Sequence, residues 1–274
     1  MFGLLSLGSL NTVCGKAKCS SFFKRRWRQA AKDMEQGLTN ATTGQKNRYA
    51  IFCLCWQALA IRMKMKPNYH VHEEMYVEAR QVGWEGWGGN ERMSKATLVE
   101  RFLDLYDGSK QVKLLELGCG EGHHCRAFNK LGFDVTGIDI SPTAIAWAKE
   151  KAKATGLKGE YFTADLTLKS LKLSERYDVA IDGNCLHCII GEDRTTFLDH
   201  VYSSLSDNGI FFVSSLCSKD ESSYETHKNN APYRHIASQN SLIRELEKAG
   251  LQALNVKVYE RENSNHITVF AIKA

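Results

Sequence analysis

Two hydrophobic rhythms alternate from residue 112 to the C-terminus. Short apolar runs rich in Val, Ile, Leu and Phe read as strands, and apolar positions three and four apart read as helices. Val112–Leu117 reads as a buried strand, Gly122–Leu131 as a helix and Asp134–Asp139 as a strand. Pro142–Thr155 is a helix with Ser141 at its N-cap and proline in its first turn. Glu160–Ala164 and Tyr177–Ile181 are strands, and Asp193–Leu205 is a helix. The turn Asp207-Asn208-Gly209 leads into strand Ile210–Ser215. Helix Gln239–Ala249 ends at Gly250, and strands Ala253–Glu260 and His266–Ile272 close the chain. Alternation of this kind predicts an α/β fold, doubly wound, with a mostly parallel sheet covered on both faces. The last two strands have no helix between them and are expected to pair as an antiparallel hairpin.

Upstream the pattern is helical. Ser21–Glu35 and Asn47–Met65 carry amphipathic spacing, the second ending before Pro67. Tyr69–Arg80 is another helix. Gly83-Trp84-Glu85-Gly86-Trp87-Gly88-Gly89-Asn90-Glu91-Arg92 then breaks all periodicity, and Ser94–Tyr106 resumes a helix.

Charge divides the chain at the same place. Residues 1–66 carry 12 Lys/Arg against two acids, a net +10, while residues 67–274 carry 24 basic and 29 acidic side chains, a net −5. This predicts a basic, partly helical N-terminal extension over 1–66 and a domain over 67–274. The acidic domain favours no nucleic-acid partner. Nine cysteines without framework spacing fit a reducing, cytoplasmic setting. The acid-free start with Lys24-Arg25-Arg26-Trp27-Arg28 also fits organelle targeting, against the simpler reading of a solvated extension. No apolar run reaches the about 18 residues of a membrane span.

The chemistry concentrates at strand ends. Glu116-Leu117-Gly118-Cys119-Gly120-Glu121-Gly122 runs from strand through a glycine turn into a helix. Glycines let the backbone turn sharply and approach a ligand, and the helix offers free N–H groups to an anion. A dinucleotide fingerprint G-x-G-x-x-G would put its third glycine at His123. The spacing here is E-x-G-x-G-x-G, and Glu116 would repel a pyrophosphate while suiting a ligand with an ammonium and a sulfonium. Asp139 ends the second strand, where a carboxylate can bind ribose hydroxyls. Asp165 ends the third, able to accept from an adenine amino group, with Ile140 and Leu166 beside the ring. Asp182 and Asn184 end the fourth strand on the same edge.

Together these residues resemble the class I (Rossmann-like) S-adenosylmethionine-dependent methyltransferases over residues 94–274. The resemblance implies a seven-stranded sheet of order 3-2-1-4-5-7-6 with strand 7 antiparallel, S-adenosyl-L-methionine as cofactor and methyl transfer to an N, O or S atom. It implies that Glu116, Gly118, Gly120 and Gly122 shape the methionine end, Asp139 the ribose site and Asp165 the adenine site.

A small-molecule acceptor fits best. The Asn/Asp-Pro-Pro-aromatic run of adenine-amino methyltransferases is replaced by Asp182-Gly183-Asn184-Cys185, and no Pro-Cys nucleophile occurs. His187 is the candidate general base, although the same position fits a histidine packed in the cofactor wall. Cys185, His187 and Cys188 lack the partner pair of a structural zinc, so no metal is expected. Trp87 and Arg92 are candidate cofactor contacts. Trp84, Tyr224, His227, Tyr233 and Arg234 are candidate acceptor contacts, the last four in the polar segment Cys217–Ser238 between the fifth strand and the next helix. The competing readings are a protein or RNA methyltransferase docking through 1–66, and a cofactor-binding regulator without activity. The sequence sets no oligomeric state.

Overall fold

Burial on both faces is clearest in the strand that the rest of the sheet surrounds. In the computed structural model, which describes residues 66–89 and 97–274, β1 (Lys113–Leu117) buries Leu114 and Leu115 on opposite faces. Around it stand β2 (Asp134–Asp139), β3 (Glu160–Thr163), β4 (Tyr177–Gly183), β5 (Leu205–Cys217), β8 (Leu251–Tyr259) and β9 (Asn265–Lys273). The seven form one sheet in the order β3-β2-β1-β4-β5-β9-β8. Pairings from β3 through β5 are parallel, and β9 runs antiparallel to both β5 and β8. This is the expected order, with the last two strands renumbered by an inserted hairpin.

That hairpin, β6 (Tyr224–Lys228) and β7 (Ala231–Ile236), forms a separate two-stranded sheet. The sequence reading leaves Cys217–Ser238 without strands. Its two-residue turn is Asn229-Asn230, with φ 53 and 63, the left-handed pair that a tight type I′ hairpin turn demands. The structure also extends β5 backwards. The predicted turn 207–209 is absorbed as an irregularity in the β4–β5 ladder, where pairing jumps from Tyr177–Leu205 to Val179–Ile210.

Helices cover both faces. One face packs Leu115, Leu117, Ala180, Phe211 and Val213 against α5 (Asp193–Ser204) and α6 (Gln239–Lys248) through Phe197, Val201, Leu242 and Leu246. The other packs Leu114, Val135, Ile181 and Phe212 against α2 (Leu98–Leu103), α3 (His123–Lys130) and α4 (Pro142–Ala154). Phe102 is fully buried there, edge-on to Phe128 and Phe212 at 5.5 Å each. Burial of one such ring contributes about 1.5–3 kcal/mol. Helix α2 is shorter than the predicted Ser94–Tyr106, since the N–H groups of Leu105 and Tyr106 both close back on the Phe102 carbonyl. Ser94 and Arg92 lie outside the described residues, as do the helices expected over 21–35 and 47–65. Among the described residues no helix is long and apolar enough to cross a membrane. Met65–Ala274 packs as one unit.

Helix α1 (Val71–Gln81) precedes the sheet and is fastened to α4. The Glu73 carboxylate accepts from Ser141 Oγ at 2.5 Å, Thr143 N at 3.1 Å and Thr143 Oγ1 at 2.6 Å. A carboxylate at a helix N-terminus answers free N–H groups and the positive end of the helix dipole. Partial burial pushes the Glu73 pKa up, but the Ser141 and Thr143 bonds outweigh it and hold the group below its ordinary value. A depressed carboxylate stabilises the fold above its unfolded pKa and loses that contribution as pH falls through the folded value. Glu73→Gln is therefore expected to cost about 1–2 kcal/mol near neutrality, the size of a lost helix cap, and progressively less towards pH 3. Urea unfolding of both proteins at several pH values checks this; a gap that widens in acid contradicts the assignment.

Candidate functional site

The parallel strands all end on one edge, and the turn after β1 is built to leave space there. The N–H groups of Gly118 and Cys119 both donate to the Ile138 carbonyl, at 2.7 and 2.9 Å, tying the turn to β2. Gly118 and Gly120 hold φ of 69 and 57, a region that L side chains enter only at a cost. A Cβ on Gly118 would overlap Cys185, and one on Gly120 would overlap the Tyr76 hydroxyl. The turn is thus clamped between the start of the β4 loop and α1, and Gly118, Cys119, Gly120 and Glu121 line a cleft of about 460 Å³.

Of the predicted residues, Glu116, Gly118, Gly120, Asp139, Ile140, Asp165, Leu166, Asn184, His187, Trp87 and Arg234 line this cleft. Gly122 does not; it stands at the N-cap of α3, where a Cβ would meet the Tyr161 ring at 2.9 Å. Asp182 also lies beneath the cleft. It is fully buried, and its Oδ1 accepts from the N–H groups of Cys185 and Leu186 at 2.7 and 2.9 Å. Its role is to hold the turn Leu186–Cys188, and burial pushes its pKa up to about 7. Tyr224, His227, Tyr233 and Trp84 are not in the lining, and Trp84 is 46% exposed. Period two explains Tyr233: β7 turns Arg234 to the cleft while Tyr233 faces His72, ring on ring at 5.8 Å.

The two leading carboxylates are held by the chain itself. Glu116 is 1% exposed, with Oε1 2.9 Å from His124 Nδ1 and Oε2 accepting the Cys125 thiol at 2.9 Å. Burial raises the Cys125 pKa well above its ordinary value, which keeps it a donor. Gly183 is required beside this pair, because a Cβ there would lie 2.6 Å from Glu116 Oε1. Asp139 accepts from Gly120 N through Oδ2 and Ser141 N through Oδ1, both at 2.9 Å. Burial pushes its pKa up to about 6, against the pull of those two bonds. Each oxygen retains acceptor capacity towards the cleft. Asp165 Oδ1 is taken by Thr167 N and Thr167 Oγ1, at 2.9 and 2.6 Å.

His187 is 5% exposed, on the short 3-10 turn Leu186–Cys188. Arg194 secures that turn by donating to the Leu186 and Ile189 carbonyls while pairing with Glu245 at 2.6 Å. The Leu216 N–H points at His187 Nδ1 from 3.5 Å, so Nδ1 accepts and the neutral ring carries its proton on Nε2. Among the described residues no group of three or more His, Cys, Asp or Glu side chains is arranged for a metal ion.

The sequence reading misses Tyr69, His72 and Tyr76 of the α1 region, Arg101 of α2, Ser214 of β5, and Arg261 and His266 at the β8–β9 end, all of which line the cleft. His72, Tyr76 and Trp87 form an aromatic wall, with Trp87 5.1 Å from Tyr76 and 5.7 Å from His72. Burial, then the charges of Arg234 and Lys228, push the His72 pKa down to about 4, so this ring is neutral at pH 7.

A twisted parallel sheet with one antiparallel strand, and a glycine turn with acids at successive strand ends, define a Rossmann-like methyltransferase fold. Residues 108–260 match the model of the methyltransferase domain family. That is more than half of the chain, and the chain belongs to this family. Among curated relatives, a ubiquinone biosynthesis O-methyltransferase of Rickettsia canadensis is 30% identical over 120 residues, 43% of this chain and 49% of that protein. A carboxy-S-adenosyl-L-methionine synthase of Campylobacter concisus is 28% identical over 132 residues, 43% of this chain and 55% of that protein. The chain spans about half the length of these relatives. Among solved structures, a Burkholderia thailandensis 1,6-didemethyltoxoflavin-N1-methyltransferase with its acceptor and S-adenosylhomocysteine superposes with TM-score 0.58 at 20% identity, covering 73% of this chain and 84% of that one. A magnesium protoporphyrin IX methyltransferase of Synechocystis PCC 6803 with bound S-adenosylhomocysteine gives TM-score 0.58 at 17% identity, covering 75% and 97%. At those identities the likeness speaks for the fold.

Proposed function

We propose that this chain is an S-adenosylmethionine-dependent methyltransferase acting on an N, O or S atom of a small molecule. The observation that carries the proposal is the cleft itself. A glycine turn with no room for a Cβ, the buried Glu116, and Asp139 and Asp165 at the next two strand ends match the methionine, ribose and adenine parts of one cofactor in order.

In this reading Gly118 and Gly120 let the backbone approach, and Gly122 starts α3 with its free N–H groups towards a carboxylate. Asp139 accepts from the ribose hydroxyls, and Asp165 from the adenine amino group beside Ile140 and Leu166. Trp87 and Tyr76 close the aromatic side and Asn184 the β4 side. The cofactor supplies an already electrophilic methyl group, so the chain has to align the acceptor and exclude water more than activate it. His187 donates from Nε2 and positions the acceptor rather than taking its proton at Nδ1.

Calorimetry with S-adenosylmethionine and S-adenosylhomocysteine tests the first half, and a metabolite screen for S-adenosylhomocysteine release tests the second. No binding by the wild-type protein overturns the proposal. With an acceptor in hand, His187→Gln is expected to keep kcat within about tenfold of wild type, since a lost general base costs about 100- to 10,000-fold. A loss in that larger range, with the pH–rate limb removed, would restore the base assignment.

A further inference from the structure

The acids of the cleft are all engaged by the chain, and its arginines are not. Glu116 has His124 and Cys125, and Asp139 and Asp165 have the donors already described. Glu121 pairs with Arg126 at 2.7 Å and Lys151 at 3.2 Å. Arg101, Arg234 and Arg261 also line the cleft, and among the described residues none of the three forms an ion pair or donates from its guanidinium. Arg234 Nε is buried with no hydrogen-bond partner, a vacancy that costs more for a charged group than for a neutral one.

Their planes are nevertheless fixed. The Arg101 guanidinium lies over the Tyr259 ring, 3.6 Å from its centre, and that of Arg234 over Tyr233 at 4.8 Å. Stacking on a face leaves the N–H edge open for bidentate recognition of an oxyanion. Arg101 and Arg261 also sense each other: burial and then the Arg101 charge hold the Arg261 pKa below its ordinary value. The acids beside Arg261 in the chain, Glu260 and Glu262, line not the cleft but a second depression, with Lys219 and Asn265, which Arg261 borders as well. His72 and His266 share the lining but bring no carboxylate.

Cofactor binding does not use up this charge. S-adenosylmethionine carries a sulfonium, an ammonium and one carboxylate, a net positive charge. Its carboxylate has the α3 N-terminus available, and the remaining guanidiniums stay unmatched. A negatively charged group on the second substrate would match them.

We propose that the methyl acceptor is a small anion, bearing a carboxylate or phosphate group that docks on Arg101 and Arg261 or on Arg234. This rests on the methyltransferase reading and narrows its substrate class. The shared oxyanion chemistry selects either group, and the aromatic wall of His72, Tyr76 and Trp87 suits a planar body.

The test is titration of the S-adenosylhomocysteine-loaded protein with benzoate, phenyl phosphate and benzamide. Benzoate or phenyl phosphate is expected to bind at least tenfold tighter than benzamide, and the tighter of the two names the group. Arg234→Gln and Arg261→Gln are then each measured for S-adenosylhomocysteine and for that anion. At least one should lose tenfold or more in anion affinity while S-adenosylhomocysteine affinity, which also reports folding, stays within about threefold. Equal binding of anion and amide by the wild type overturns the inference, as does an anion preference that neither variant lowers. Wild-type protein that fails to bind S-adenosylhomocysteine instead overturns the methyltransferase reading, so the two failures are distinct.

Discussion

Replacing Asp139 by alanine is expected to weaken S-adenosylhomocysteine binding by at least about 100-fold. The carboxylate already organises the site, bonding Gly120 N and Ser141 N at 2.9 Å each. In the proposed complex it also takes the ribose hydroxyls. Bonds to an ionised acceptor are worth about 1.5–3 kcal/mol each, and two of them exceed the about 2.7 kcal/mol of a 100-fold change. The effect carries a pH signature. Burial places the Asp139 pKa at about 6, so the ionised acceptor prevails at pH 7.5 and is lost as pH falls through 6. Affinity should drop by up to about tenfold per pH unit below that point, and Asp139→Asn should be weak and flat across the same range. Calorimetry from pH 5 to 8 measures both. Unchanged affinity in Asp139→Ala would refute the ribose assignment.

The second large effect is on stability. Gly118→Ala should destabilise the fold by about 2–5 kcal/mol, combining about 1–2 for an L residue in left-handed backbone with about 1–3 for overpacking. The φ of 69 supplies the first cost, and the collision with Cys185 supplies the second. The two costs separate in a double variant. Adding Cys185→Gly, which removes the Cβ that would lie 2.4 Å from the new methyl group, should recover the overpacking part and leave the backbone part, so the substitutions are non-additive, as neighbours are. Urea unfolding of the four proteins gives the answer. Gly118→Ala as stable as wild type would mean that the turn is looser than its clamped position between Cys185 and β2 implies.

The sheet was legible because its signals are local. Each βα unit announces itself through an apolar run, a turn and a helical stripe, and connection rules then leave few orders. Glu116, Asp139 and Asp165 were legible for the same reason, since the first two are the last polar residues of β1 and β2 and the third follows the end of β3 by two residues. The hairpin β6–β7 was not read, although Asn229-Asn230 is a hairpin signal, because Pro232 sits inside β7 and breaks the strand pattern. The residues Tyr69, His72, Arg101 and Arg261 have no motif to mark them. They reach the cleft because α1 docks on α4, α2 packs on the sheet face through Phe102, and Arg261 lies in the β8–β9 connection, a matter of tertiary packing. Asp182 shows the opposite failure. A strand-end acid has the right address, yet its Oδ1 is taken by the backbone of the next turn and the residue stays out of the cleft lining.

The Glu73 latch on Ser141 and Thr143 settles where this domain can be cut. A fragment starting just before α2 keeps Gly118, Gly120, Gly122 and every strand-end acid, and by its motifs it is complete. It would lack Tyr69, His72, Tyr76 and Trp87, opening one side of the cleft to water, and would leave the Ser141 end of α4 without its carboxylate partner. Gene design, fusion junctions and protease trimming should therefore preserve the chain from at least Pro67 onward.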